Sequence, residues 1–221
     1  MNSRILIFAL FTFFGLECFA QGDTASYLKN PNYKYEIEFY KIYKKRRADV
    51  VFLGNSITHG VNWNELLGRD NIVERGIGSD NLEGIYNRLE YVINLKPKLC
   101  FIKAGINDIY AWNPVETIFS NYKKVIEELK KNNIRVIVQS TLLVSQRYPS
   151  ATDRNNEVTK LNKLLEDYCK VNGLDFIDLN SRMTRAGALK DELTHDGVHL
   201  KAGGYKIWSD EVDKVLQKYG Y

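Results

Sequence analysis

The sequence predicts an α/β protein in which a parallel sheet is covered by helices on both faces. Short apolar runs that end at glycine or at polar residues alternate with apolar stripes at helical spacing, and the links between them are short. Composition fits one such unit. A chain of 221 residues, 44% hydrophobic and 26% charged with only four prolines, can bury one large core, which excludes disordered, collagen-like and disulfide-scaffold classes. The net charge of +4, from 31 basic and 27 acidic residues, is too balanced to imply a nucleic-acid partner.

The chain opens with Arg4, an apolar run over residues 5–15 and Cys18-Phe19-Ala20, the pattern of a secretory signal cleaved after Ala20. Residues 1–20 are therefore expected to be a leader and residues 21–221 a single exported domain, periplasmic or secreted. The apolar run is too short for a transmembrane helix, and no later stretch reaches the roughly 20 apolar residues one needs. Lipidation of Cys18 is the lesser alternative, because Leu16-Glu17 stand where a lipobox wants small residues. Beyond the leader lie Cys100, in an apolar run, and Cys169, on a helical stripe. Buried free thiols are expected there, with a bridge between them left open. Neither has a neighbouring histidine or a CxxC partner, which argues against a thiol enzyme.

A first helix carries Tyr35, Phe39, Ile42 and Tyr43, with the basic run 44–47 as its solvated end. Strands are expected at 50–53, ending at Gly54; at 72–73, leading to Gly76; at 99–104, ending at Gly105; at 135–139; and at 174–179. Between them, Leu82 to Ile93 form one amphipathic helix with Asp80-x-x-Glu83 as a capping box. Val115 to Leu129 form another, opened by Asn113 as N-cap and Pro114 as first helical residue. Val158 to Tyr168 make a third, stopped by Asn172-Gly173, and Tyr205 to Leu216 the last.

Parallel sheets of this kind place their sites at the carboxyl ends of the strands. Four strand ends or late loops carry chemistry. Gly54-Asn55-Ser56-Ile57-Thr58 follows the first strand; its serine is either a helix cap or a nucleophile held at the sheet edge. Arg75-Gly76-Ile77-Gly78-Ser79-Asp80 can turn main-chain N–H groups toward an anion, but lacks the spacing of a dinucleotide loop. Gly105-Ile106-Asn107-Asp108 offers either a cap or a side-chain amide for an oxyanion. Asp196-Gly197-Val198-His199 sets a carboxylate and an imidazole three residues apart around a glycine. One tight turn there can hold the imidazole on one nitrogen and leave the other for Ser56, which is triad logic within a single loop.

In this order, Gly-x-Ser-Ile-Thr, Gly-Ile-Gly-x-Asp, Gly-x-Asn-Asp and Asp-x-x-His resemble the Ser-Gly-Asn-His hydrolases, the GDSL esterase/lipase family, from residue 50 to about 215. The resemblance implies a three-layer, flavodoxin-like α/β/α sandwich on a five-stranded parallel sheet. It implies Ser56 as nucleophile, His199 as general base, Asp196 as its orienter and Asn107 as an oxyanion donor, with the main-chain N–H groups of Ser56 and of Gly78 or Ser79. No cofactor or metal is implied. The sequence departs from the family pattern at Asn55, where the family has aspartate, and at Ser79, where it has glycine. Exported members of this compact form look like acetylesterases acting on carbohydrates, sialate-type groups among them. A lysophospholipase, an acetylhydrolase of platelet-activating-factor type or a thioesterase would use the same constellation.

Candidate substrate contacts are Asn55, Trp63, Trp112, Arg147 and Tyr148; the last two lie in the long segment 142–156 after the fourth strand, and for the tryptophans packing is the alternative reading. His59 and His195 match no catalytic position. An α/β-hydrolase would want GxSxG where this chain has GNSIT. A zincin would want glutamate after His195 on a continuous helix, and Asp196-Gly197 follow instead. A carbohydrate-binding protein that kept the fold and lost turnover is the non-enzymatic rival.

Overall fold

The computed structural model describes residues 25–221, so the expected leader lies outside the described residues. After a 3-10 turn, the elements run α1 (Pro31–Ile42), β1 (Val50–Asn55), α2 (Ser56–His59), α3 (Trp63–Leu67), β2 (Ile72–Ile77), α4 (Leu82–Asn87), α5 (Glu90–Ile93), β3 (Leu99–Lys103) and α6 (Ile106–Tyr110). They continue α7 (Val115–Lys131), β4 (Arg135–Gln139), α8 (Ala151–Asn172), β5 (Asp175–Ile177), α9 (Asn180–Met183), β6 (Thr184–Arg185), β7 (Ala188–Leu189) and α10 (Ala202–Lys218). Five strands form one sheet in the order β2-β1-β3-β4-β5, every pair parallel, and β6 and β7 make a small antiparallel hairpin. This is the flavodoxin-like order, whose switch point lies between β1 and β3.

The five strands lie where the apolar runs stand; β1 to β4 are buried across most of their length because helices cover both faces, while in the edge strand β5 only Ile177 is buried. On one face Phe52 of β1 stacks on Trp63 of α3 at 3.9 Å and on Phe101 of β3 at 5.0 Å, and Trp208 of α10 meets Trp63 edge-on at 4.8 Å. On the other, α7 packs between α4 and α8, and the Tyr122 hydroxyl donates to the Ile102 carbonyl at 3.2 Å. Cys100 and Cys169 are buried free thiols, so the bridge left open by the sequence is not made. Burial raises the pKa of both.

Several elements differ from their expected form. The stripe from Leu82 to Ile93 is two short helices broken at Arg88-Leu89, where Arg88 leaves helical geometry to put its guanidinium under the sheet edge. Asn81, not Asp80, caps α4 by accepting from the Gly84 N–H at 2.9 Å. Pro114 is the extended N-cap residue of α7, and the helix begins at Val115. Helix α8 starts seven residues before Val158, so the segment after β4 is shorter than expected. On α1 the buried rings are Tyr33 and Tyr40, while Tyr35, Ile42 and Tyr43 are exposed, because α1 packs on the end of β2 rather than on the main core.

The aromatic stack generates a stability prediction. Phe52→Ala removes the ring between Trp63 and Phe101 and should cost about 3–5 kcal/mol, read as a lower urea midpoint with an unchanged slope.

Candidate active site

Ser56 is the first residue of α2, directly after β1, so its N–H has no carbonyl one turn earlier to bond. Asn55 caps the helix: its Oδ1 accepts from the Ile57 N–H at 3.1 Å, the acceptor role an aspartate would fill, and its surplus Nδ2 is buried without a partner. Asn55 is thus a buried cap, not the substrate contact expected of it. Gly54 is required by close approach, since a Cβ there would lie 2.1 Å from Thr58 Oγ1 and 2.5 Å from the Lys103 carbonyl.

The turn before α10 brings the other partners. His199 Nε2 lies 2.9 Å from Ser56 Oγ, and His199 Nδ1 lies 2.6 Å from Asp196 Oδ2. Asp196 Oδ1 accepts from the main-chain N–H groups of Val198 and His199 at 2.9 and 2.8 Å. Gly197 at φ +97° lets the turn close so tightly. Partial burial would raise the Asp196 carboxyl, but the hydrogen bonds from His199 and the two N–H groups outweigh it and hold the carboxyl below the usual range. An ionised carboxylate there favours a proton on Nδ1 and a lone pair on Nε2 facing the serine.

The anion-facing side comes from the ends of β2 and β3. Asn107, the second residue of α6, donates from Nδ2 to the Asp80 carbonyl at 2.7 Å, which leaves its other amide proton free. Ser79 adopts φ +60°, the left-handed conformation that explains why a glycine would suit this position. The Gly78 carbonyl accepts from Asn30 Nδ2 at 2.8 Å. A trans peptide plane then turns the Ser79 N–H away from Asn30.

Beneath these groups sits a residue that the sequence reading passed over. Arg88 is fully buried and donates from Nε to Asp80 Oδ2 at 2.7 Å, from Nη1 to the Arg75 carbonyl at 3.0 Å and from Nη2 to the Gly54 carbonyl at 2.8 Å. The only signal for it was an arginine on an otherwise apolar helical stripe. Asp108 is also buried and accepts from the Leu82 N–H at 3.2 Å, and burial pushes its carboxyl up to about 7.

The other expected contacts divide. Trp63 is a core residue stacked on Phe52, donating to the Thr58 carbonyl at 2.9 Å, and does not reach the surface as a pocket-mouth ring would. Tyr148 packs beside Gly197 and stacks on Tyr110 at 5.1 Å, one helical turn beyond Asn107. Trp112 is exposed, and the Arg154 guanidinium lies 4.7 Å from the ring centres of both Trp112 and Tyr110. Arg147 pairs with Asp191 at 2.9 Å and reaches the Thr194 carbonyl at 3.4 Å, bracing the loop that leads to Asp196. His59 meets Glu74 at 3.3 Å, away from the triad, and that hydrogen bond raises its pKa. His195 stacks on His199 with ring centres 5.8 Å apart.

A serine hydroxyl, an imidazole and a carboxylate in line at the carboxyl edge of a flavodoxin-like sheet are the arrangement of the Ser-Gly-Asn-His class. The chain belongs to the GDSL-like lipase/acylhydrolase family, whose pattern it matches over residues 52–207. Among solved structures it is similar to a GDSL-like lipase from Bacteroides thetaiotaomicron, at 30% identity and a TM-score of 0.74 over 85% of this chain and 98% of that one. It shares its fold with the lipase/acylhydrolase from Enterococcus faecalis, at 24% identity and a TM-score of 0.68 over 78% of this chain and 96% of that one. Among curated proteins it is similar to an N-acylneuraminate cytidylyltransferase of Streptococcus agalactiae, 26% identical over 79% of this chain. The match spans 42% of that protein's length.

The burial of Asp108 predicts a pH effect. Below about pH 4 its carboxyl is protonated in both the folded and unfolded chains and contributes nothing to the pH dependence. As pH rises toward 7 the unfolded chain loses the proton first, so stability falls across that window. Asp108→Asn keeps an acceptor for Leu82 and removes the titration. Its melting temperature relative to the native protein should therefore climb by on the order of 5 °C between pH 4.5 and pH 8 in thermal melts.

Proposed function

We propose that the protein is an exported serine esterase that removes short acyl groups, acetyl above all, from carbohydrate alcohols through an acyl-enzyme. The observation that carries this reading is the line of hydrogen bonds from Ser56 through His199 to Asp196, at 2.9 and 2.6 Å. His199 Nε2 takes the Ser56 proton as Oγ bonds to the ester carbonyl carbon. The resulting oxyanion is met by the N–H groups of Ser56 and Ser79 and by the free amide proton of Asn107. Ser79 is favoured over Gly78 because the carbonyl of the Gly78–Ser79 peptide is tied outward to Asn30. Collapse breaks the bond to the alcohol, which leaves with the proton from His199; water then repeats the sequence and frees the acid. Asp196 steadies the imidazolium in both halves, and the chemistry calls for no metal or organic cofactor.

Two observations support a sugar as the alcohol. The rings of Tyr110, Trp112 and Tyr148 lie beyond Asn107 and suit the apolar face of a pyranose, with Arg154 among them. The streptococcal relatives are named for N-acylneuraminate, an acylated sugar.

A fluorophosphonate probe should label the protein at Ser56, and Ser56→Ala should abolish both labelling and hydrolysis. A folded protein that takes no label would favour the binding-protein alternative. Across p-nitrophenyl esters from acetyl to dodecanoyl the rate should peak at acetyl; an optimum at octanoyl or longer would overturn the acyl assignment. Asn107→Ala should lower kcat about 10²–10³-fold with a modest change in KM, and an unchanged kcat would remove its amide from the mechanism.

A further inference from the structure

His195 has no part in the triad, yet the closing turn delivers it there. Its main-chain N–H donates to the His199 carbonyl at 3.2 Å, the Thr194 hydroxyl donates to the same carbonyl at 2.8 Å, and Thr194 bridges Leu200 in antiparallel fashion. Residues 194–200 are therefore a closed loop with fixed ends. Within it the His195 and His199 rings lie 16° from parallel. His195 Nδ1 is 3.9 Å from Asp196 Oδ2, the same oxygen that His199 Nδ1 meets at 2.6 Å. One ligand atom from each of the three side chains falls within 4.8 Å of the others, and all three side chains reach solvent.

We propose that His195, Asp196 and His199 form an inhibitory site for a borderline-soft divalent cation, Zn²⁺ foremost, that stops hydrolysis by occupying the general base. The inference rests on the reading of His199 as that base. Two imidazoles and one carboxylate, with a fourth position left for water, are a tetrahedral zinc set. Metal–ligand bonds of about 2.1 Å at tetrahedral angles separate ligand atoms by ~3.4 Å. Asp196 Oδ2 and His199 Nδ1 must then part slightly, and His195 Nδ1 must close in. The carboxylate can turn while its Oδ1 stays on the Val198 and His199 N–H groups, and the solvent-facing His195 ring is free to adjust. Imidazole nitrogen favours Zn²⁺, Cu²⁺ and Ni²⁺, whereas Mg²⁺ and Ca²⁺ want oxygen.

The block is a matter of which nitrogen holds the ring proton. In the free triad the proton sits on Nδ1 and the Nε2 lone pair accepts from Ser56. A cation on Nδ1 takes that nitrogen's lone pair, so the single proton of the neutral ring moves to Nε2. The ring neither gains nor loses a proton. Nε2–H now donates to Ser56 Oγ and cannot receive its proton, while Asp196 binds the cation instead of orienting the base. A chelator should therefore raise activity, the reverse of its effect on a metallohydrolase.

The test uses the chelator-stripped protein, p-nitrophenyl acetate and added ZnCl₂, with calorimetric titration of Zn²⁺ in parallel. Micromolar Zn²⁺ should suppress the native rate, EDTA should restore it, and millimolar Mg²⁺ or Ca²⁺ should do neither. His195→Gln should keep the basal rate and need at least about tenfold more Zn²⁺ for half-inhibition, with a matching loss of calorimetric affinity. Equal inhibition of the native and His195→Gln proteins, or no heat of binding, would overturn the site. If no ester is hydrolysed at all, the esterase reading falls while calorimetry on the native and variant proteins still decides whether the cation binds.

Discussion

The Arg88 guanidinium is the constraint on which the site depends. It lies wholly inside the protein and ties the end of β1, the end of β2 and the Asp80 turn to one planar group. A charge so buried is tolerated only because Asp80 neutralises it and two carbonyls accept its remaining bonds. Each carbonyl it fixes lies close in sequence to a group of the proposed machinery: Gly54 two residues before Ser56, Arg75 four residues before Ser79. The spacing between nucleophile and anion-facing turn is thus set from below by rigid, directional bonds, not by the loops themselves.

Side-chain amides do the same work around the rest of the rim. Asn30 holds the Gly78 carbonyl, and Asn107 holds the Asp80 carbonyl. After β4 the chain continues with few strand partners, and asparagines supplement them: Asn162 bonds both the N–H and the carbonyl of Thr141, Asn155 does so for Val144, and Asn180 accepts from the Leu143 N–H. An amide that both donates and accepts can imitate a neighbouring strand for one residue. Buried main-chain groups in an irregular segment are satisfied this way without extending the sheet.

The five sheet strands and the pairing of Asp196 with His199 were legible in the sequence because their signals are local, whereas the meeting of Ser56 with His199, 143 residues apart, was legible only through the family resemblance. An apolar run breaking at Gly54 or Gly105 marks a strand end, and Asp196 and His199 sit within one turn. What was hidden depends on distant partners. Arg88 looked like one polar residue in a helical stripe, since Gly54 and Arg75 are far from it in the chain. Trp63 read as a pocket ring because nothing nearby announces that Phe52 lies over it. The rings that α1 buries were not singled out for a related reason: its exposed Tyr35 and buried Tyr33 and Tyr40 are the same residue type, and only packing on β2 separates them.

The imidazole of His199 keeps 39% of its side-chain surface in contact with solvent. Among the described residues nothing covers the ring completely, so water reaches it from the bulk. The same openness puts few steric limits on what hangs from the ester's far side. On the proposed reading, an acyl group carried on a long polymer would be presented to this edge as readily as one on a free monosaccharide.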